Sequence, residues 1–253
     1  MQAKSATVIP AQSIQEKAYL FVRKKIASGE LLPGAILSEA SIARELGNSR
    51  GPLREAIRQL TAEGFLRQTP NRSSVVMEFS RRDIAELYEL REALEVYAVG
   101  QAAAHGARPT ELEVFQRLVD EVLVLRDKLQ ASGKRRLDAA QMRRFVQIDL
   151  NFHSLLVRAA ANRRILKVFA DTRVLLNIFA MRRKGHDATL LTEIHRYHNA
   201  IVSAVAAGDS PTAMRLLGEH IRVSKQERLK EYDEWERDIA MRHPLLDLDG
   251  IAE

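Results

Sequence analysis

Apolar residues recur at helical spacing along most of this chain, and only the stretch between residues 65 and 77 reads as strand. Ser13 and Glu16 look like a capping box opening a helix to about Ser28. Tyr19, Leu20, Val22 and Ile26 form its apolar side, and Gly29 can end it. Pro33-Gly34 makes a turn. Two short amphipathic segments follow between Ser38 and Glu63, separated by Gly47-Asn48, and Ser38 and Ser49 can cap them. In the second segment Leu53, Ile57 and Leu60 point inward, while Arg50, Arg54 and Arg58 fall on other faces. A short helix, a tight turn and a helix opening with arginines predict a helix-turn-helix whose second helix enters the major groove. Phe65-Leu66 and Val75-Val76-Met77 then bracket the polar loop 68–74. Two strands joined in this way after a recognition helix read as a wing, with Arg72 at its tip as a DNA contact.

From Ser80 onward the pattern predicts helices over about 81–104, 110–131, 138–160, 162–184, 189–207 and 210–240. Ser80 with Asp83 can cap the first of these. His105-Gly106, Ser132-Gly133 and Gly208-Asp209 mark breaks, and Pro109 and Pro211 stand at helix starts, where proline is tolerated. Short connections make these six an all-α antiparallel bundle. The expected fold is therefore mostly α. Residues 1–12 form a flexible arm, 13–78 a winged helix-turn-helix, 79–243 an α-helical effector-binding and dimerisation domain, and 244–253 a tail.

Composition narrows the function. The chain of 253 residues contains no cysteine, so disulfides, zinc fingers and thiol nucleophiles are excluded. The absence of cysteine suits a reducing cytoplasm. No apolar run approaches the roughly 18 residues of a membrane helix, and the N-terminus lacks the order of a signal peptide. Residues 1–78 carry 11 Lys and Arg against 7 Asp and Glu, and residues 79–253 carry 28 against 26. Most of the basic excess thus falls in the first third, as a polyanion partner there requires.

Polar residues inside the apolar stripes carry the remaining chemistry. In 138–160 the stripe of Phe145, Ile148, Phe152, Leu155 and Leu156 contains Asp149 and His153, four apart. His198 interrupts Ile194, Ile201 and Val205, and His220 interrupts Leu216, Leu217 and Val223. The last two helices form a hairpin about Gly208-Asp209-Ser210. Residue 209 is the midpoint of 198 and 220, so both histidines fall at one height on facing helices. One carboxylate and three imidazoles suggest a divalent metal site, fitting zinc, nickel, manganese or iron; satisfied core histidines are the alternative. Arg91 shares a stripe with Leu87, Leu90, Leu94 and Ala98. A buried guanidinium requires an anion. It either pairs with Glu95 or another internal carboxylate, or clamps the carboxylate of a small organic acid.

Two stretches carry a resemblance. The run from Gly29 to Leu66, with Pro33-Gly34, Leu46-Gly47, Ser49-Arg50, Pro52, Arg54-Glu55-Ala56, Glu63 and Gly64, resembles the DNA-binding domain of the GntR family of bacterial transcription regulators. The resemblance implies DNA contacts at Ser49, Arg50, Arg54 and the wing tip, Arg72. Gly51 stands where the family usually places a contacting threonine. Asp149-x3-His153, His198-Asn199-Ala200-Ile201 and His220 are similar to the FCD effector domain of the FadR-like subgroup. In the metal-containing members of that subgroup an Asp and three His at these positions bind a metal, and in some relatives arginines on the helix matching that of Arg91 hold small carboxylates.

These expectations combine into a non-enzymatic, cytoplasmic transcription regulator. It is a homodimer on a palindromic double-stranded operator, and a small organic acid bound at a metal, with zinc as the first choice, controls its grip on DNA. A helical metalloenzyme with an appended DNA-binding domain is the competing class. Against it, the chain has no Glu-x-x-His pair and no His-Glu-x-x-His. A third reading makes the metal purely structural.

Overall fold

The computed structural model describes residues 13–28, 30–47, 50–71, 73–180 and 185–242. The expectations for residues 1–12, Gly29, Ser49, Arg72, 181–184 and 243–253 lie outside these, as does the side chain of Arg50. The chain divides into two compact units, Met1–Glu78 and Phe79–Glu253.

The first unit contains α1 (Ile14–Ser28), α2 (Glu39–Leu46), α3 (Arg50–Ala62) and a small antiparallel sheet. Ser38 caps α2, its hydroxyl accepting from Ser41 N at 3.3 Å. Gly47 ends α2 with φ +63°, a left-handed conformation that glycine adopts without a Cβ penalty. That turn redirects the chain into α3. Leu53, Ala56, Ile57 and Leu60 of α3 are buried with Val22 and Ile26 of α1 and Ile42 and Ala43 of α2. This apolar seam holds the helix-turn-helix together.

The wing strands are β2 (Leu66–Gln68) and β3 (Ser74–Val76), paired Leu66 to Val76 and Gln68 to Ser74. Their bounds are shifted by about one residue from the apolar runs, because strand pairing continues into polar Arg67 and Gln68. A third strand, β1 (Ile36–Leu37), pairs with β3 and was not anticipated. Two residues after a Pro-Gly turn are too few to show a period of two.

The second unit contains α4 (Arg81–His105), α5 (Pro109–Ala131), α6 (Ala139–Ala159), α7 (Arg163–Ala180), α8 (Ala188–Ala206) and α9 (Ser210–Arg242). Ser80 and Asp83 form a capping box at α4, and Asp138 and Gln141 form one at α6. Asn162 Oδ1 accepts from Arg164 N and Ile165 N and so caps α7. The core packs Phe115, Val119 and Val122 of α5 against Ile148, Phe152 and Leu156 of α6 and Leu191 and Ile201 of α8. Phe115 meets Phe152 edge to face at 5.6 Å.

Two stripes differ from expectation. On α4 the buried face runs Ile84, Tyr88, Arg91, Glu95 and Ala98, while Leu90 is exposed. On α9 it runs Ala213, Leu217, His220 and Ile221, leaving Leu216 and Val223 half-buried. Leucines on an amphipathic helix are not all core-facing; here charge-bearing residues take the inner positions instead.

Candidate functional site: a buried histidine and carboxylate cluster beside a small cavity

Helices α6, α8 and α9 bring Asp149, His153, His198 and His220 together, with one donor atom from each lying within 4.8 Å of the others. His198 Nε2 and His220 Nε2 are 3.2 Å apart. The hairpin that joins them turns at Gly208, whose φ is +72°. Asp149 Oδ1 is 3.4 Å from His153 Nε2 and 3.9 Å from His198 Nε2. Metal–ligand bonds of about 2.0–2.1 Å in a tetrahedron set donor atoms about 3.3 Å apart. These edges therefore fit a small divalent ion, and His153, His198 and His220 are each at most 3% exposed.

The protonation states suit the same use. Burial holds His198 and His220 well below the usual imidazole range. Both are neutral donors. Burial would raise the Asp149 carboxyl, but it is held well below the usual range and stays ionised beside the guanidiniums of Arg173 and Arg91. Each imidazole is held differently. His153 Nδ1 donates to Glu95 Oε2 at 2.5 Å, which turns Nε2 to the cluster. His198 stacks on Phe152, with centroids 3.9 Å apart and planes 7° from parallel.

Arg91 is buried and its Nε donates to Glu95 Oε1 at 2.6 Å, so the internal ion pair is present. Burial would raise the Glu95 carboxyl, but Arg91 and His153 lower it to about 2. Arg91 Nη2 lies 2.8 Å from His153 Nε2. Arg173 of α7 was missed from the sequence. It is buried, and its Nη2 donates to Asp149 Oδ2 at 2.8 Å, while its Nε has no hydrogen-bond partner among the described residues. The signal that marked Arg91, a charge within an apolar stripe, was present here too, between Phe169 and Leu176. His195 lies outside the cluster.

A cavity of about 60 Å³ adjoins the cluster, lined among others by Tyr88, Arg91, Asp149, Arg173, His220 and Arg228. One water requires roughly 10–15 Å³, so the cavity has room for a small organic molecule. Its wall carries three guanidiniums, Arg91, Arg173 and Arg228, and three carboxylates, Asp149, Glu193 and Glu227, so it offers donors for an anion beside acceptors of its own.

In the first unit, Arg54 stands on the exposed face of α3 and its Nε donates to Glu39 Oε2 at 3.1 Å. Gly51 is exposed at the start of α3, with open space where a Cβ would point. Residues 14–76 match the bacterial regulatory proteins of the gntR family, and residues 86–223 match the FCD domain. The chain belongs to the GntR family and carries an FCD domain. Its relatives include an HTH-type transcriptional regulator in an unstable DNA locus of Streptomyces ambofaciens, 32% identical over 81% of this chain and 80% of that one. Another is the probable D-xylose utilization operon transcriptional repressor of Paenarthrobacter nicotinovorans, 31% identical over 79% and 82%. The solved structure of E. coli McbR/YncC superposes with a TM-score of 0.71 at 20% identity, covering 88% of this chain and all of that one, which speaks for the fold. This GntR protein is accordingly a transcription regulator, and among the described residues no helix is long and apolar enough to cross a membrane.

Proposed function

We propose that this regulator is a cytoplasmic repressor, released from a palindromic operator by a small carboxylate bound beside a divalent metal in the FCD domain. The observation that carries the reading is the meeting of the Asp149, His153, His198 and His220 donor atoms, with Asp149 and His220 on the wall of a cavity that also presents Arg91 and Arg173. Zinc suits the donor set best, since neutral imidazoles and one carboxylate are common zinc ligands, and edges of 3.2 and 3.4 Å are close to those of a tetrahedron. The metal would supply a Lewis-acidic point for one carboxylate oxygen. Arg91 and Arg173 hold and orient the rest of the acid, and Tyr88 forms part of the wall beside them. The relative from Paenarthrobacter nicotinovorans, named a repressor, supports the sign of the response.

For DNA, α3 presents Gly51 and Arg54; the sequence adds Arg50, Ser49 as a residue suited to a phosphate, and Arg72. Arg50 and Arg54 suit the O6/N7 edge of guanine. One winged helix reads a half-site, so a palindrome needs two copies. Leu90 and Tyr97, seven residues apart on the outer side of α4 and 41% and 49% exposed, offer apolar surface for a second copy.

A thermal-shift screen of small carboxylates on the zinc-loaded chain and on the His198→Ala, His220→Ala double variant tests the reading. At least one acid should raise the melting temperature of the wild type alone. Equal shifts in both proteins would place the acid elsewhere.

A further inference from the structure

Arg91 and Arg173 face the same cluster, yet they engage it through different kinds of atom. Arg173 takes Asp149 Oδ2, whereas the oxygen turned towards the histidines is Oδ1. Arg173 therefore leaves the donor atom of Asp149 free. Arg91 does not do the same for His153. Its Nη2 lies 2.8 Å from Nε2, the nitrogen that faces Asp149 Oδ1 at 3.4 Å. A guanidinium only donates, so Nε2 is the acceptor, and the ring proton sits on Nδ1, which donates to Glu95. An imidazole nitrogen has one in-plane lone pair. It accepts a hydrogen bond from Arg91 or it binds a metal, but not both.

Arg91 can yield without leaving the site. Its Nε is tied to Glu95 Oε1 at 2.6 Å, the second oxygen of Glu95 is tied to His153, and the guanidinium also lines the cavity. We propose that Arg91 makes the anion subsite of the cavity conditional on the metal: Nη2 gives up His153 Nε2 when a divalent ion takes that nitrogen, and the released N–H groups turn to the carboxylate of a ligand. This rests on the metal-and-carboxylate reading above and adds a regulation to it. An ion binding alone must break a charge-assisted hydrogen bond and strand a buried donor. An acid bound at the same time accepts from that donor. Metal and acid thus raise each other's affinity by the same factor. Glu95 is the positioning residue for both partners of the exchange.

The test is zinc affinity of the full chain, measured by competition with a chromophoric chelator for wild type, Arg91→Gln and Arg173→Gln, with and without acetate as the probe acid. Each variant removes one buried positive charge, so charge repulsion alone predicts similar gains. The exchange predicts that Arg91→Gln binds zinc at least about tenfold more tightly than wild type or Arg173→Gln, the scale of one charge-assisted hydrogen bond. Acetate should tighten zinc binding in wild type more than in Arg91→Gln. Zinc affinity in Arg91→Gln no greater than in the other two overturns the exchange while leaving the metal site standing. No zinc binding by any of the three overturns the metal reading and the exchange together. As a readout on the unaltered protein, the side-chain nitrogen resonances of Arg91 should move on zinc saturation, and unmoved resonances would contradict the proposal.

Discussion

The two units of this regulator treat charge in opposite ways. In the first, Arg54 and Arg58 stand in water along one helix, with side chains 60% and 69% exposed. In the second, Arg91, Glu95, His153, Arg173, His198 and His220 are each at most 5% exposed and come from α4, α6, α7, α8 and α9. Exposed charges act almost singly and are screened by salt. Buried ones hold each other in place, so removing one leaves its partner without compensation. Substitutions in the first unit should therefore change DNA affinity and spare stability, whereas substitutions in the second should change both stability and ligand binding.

The strongest way to break this contrast is to remove two ligands at once. His198→Ala with His220→Ala should abolish bound metal, read by elemental analysis of the purified chain, while operator binding by the first unit survives. Glu95→Gln should come next. It leaves Arg91 facing a neutral amide, costing about 3–5 kcal/mol in urea denaturation, and it frees His153 to rotate, weakening metal binding roughly 10–100-fold. Arg54→Ala should lower specific operator affinity by about 1–3 kcal/mol and change stability by no more than about 0.5 kcal/mol. Lower salt should restore only non-specific binding.

Acid sharpens the contrast, since all seven histidines lie beyond residue 78. Below the ordinary imidazole value of 6.5, an unfolded chain takes up protons that folded His198 and His220 refuse. Stability of the second unit should fall as pH drops below that point. Glu95 works in the same direction lower down: its contribution is complete above the ordinary value of 4.5 and is lost as pH falls towards about 2. Amide exchange followed from pH 7 to 5 should show protection lost first around α6, α8 and α9. The smallest effect belongs to Gly51→Ala. The added Cβ meets nothing within 4 Å, so thermal denaturation should show a gain of up to about 1 kcal/mol with metal content unchanged.

The same contrast explains what could be read from the sequence. The helix-turn-helix lies in one continuous stretch with its caps and its glycine turn, so Ser38, Gly47 and the Leu53, Ile57, Leu60 stripe were legible locally. Asp149 and His153 were legible by helical spacing, and His198 and His220 by the symmetry of a hairpin. The stripe of Phe169 and Leu176 marks Arg173 as a charge facing inward, but nothing in α7 names its partner Asp149, 24 residues away. The approach of Arg91 to His153 spans 62 residues and two helices, and only packing creates it. The face of α4 was misjudged around Leu90 because Leu87, Leu90 and Leu94 form a continuous apolar stripe of their own, beside the buried one.

On the proposed function, the buried cluster governs the exposed helix. The direct measurement is fluorescence anisotropy of a labelled operator titrated with zinc-loaded protein, with and without the carboxylate that most raises the melting temperature of the chain. Operator affinity should fall at least about fivefold at saturating acid, within the usual range of allosteric coupling, with no loss in the His198→Ala, His220→Ala variant. Operator affinity unchanged at saturating acid would contradict the proposed function.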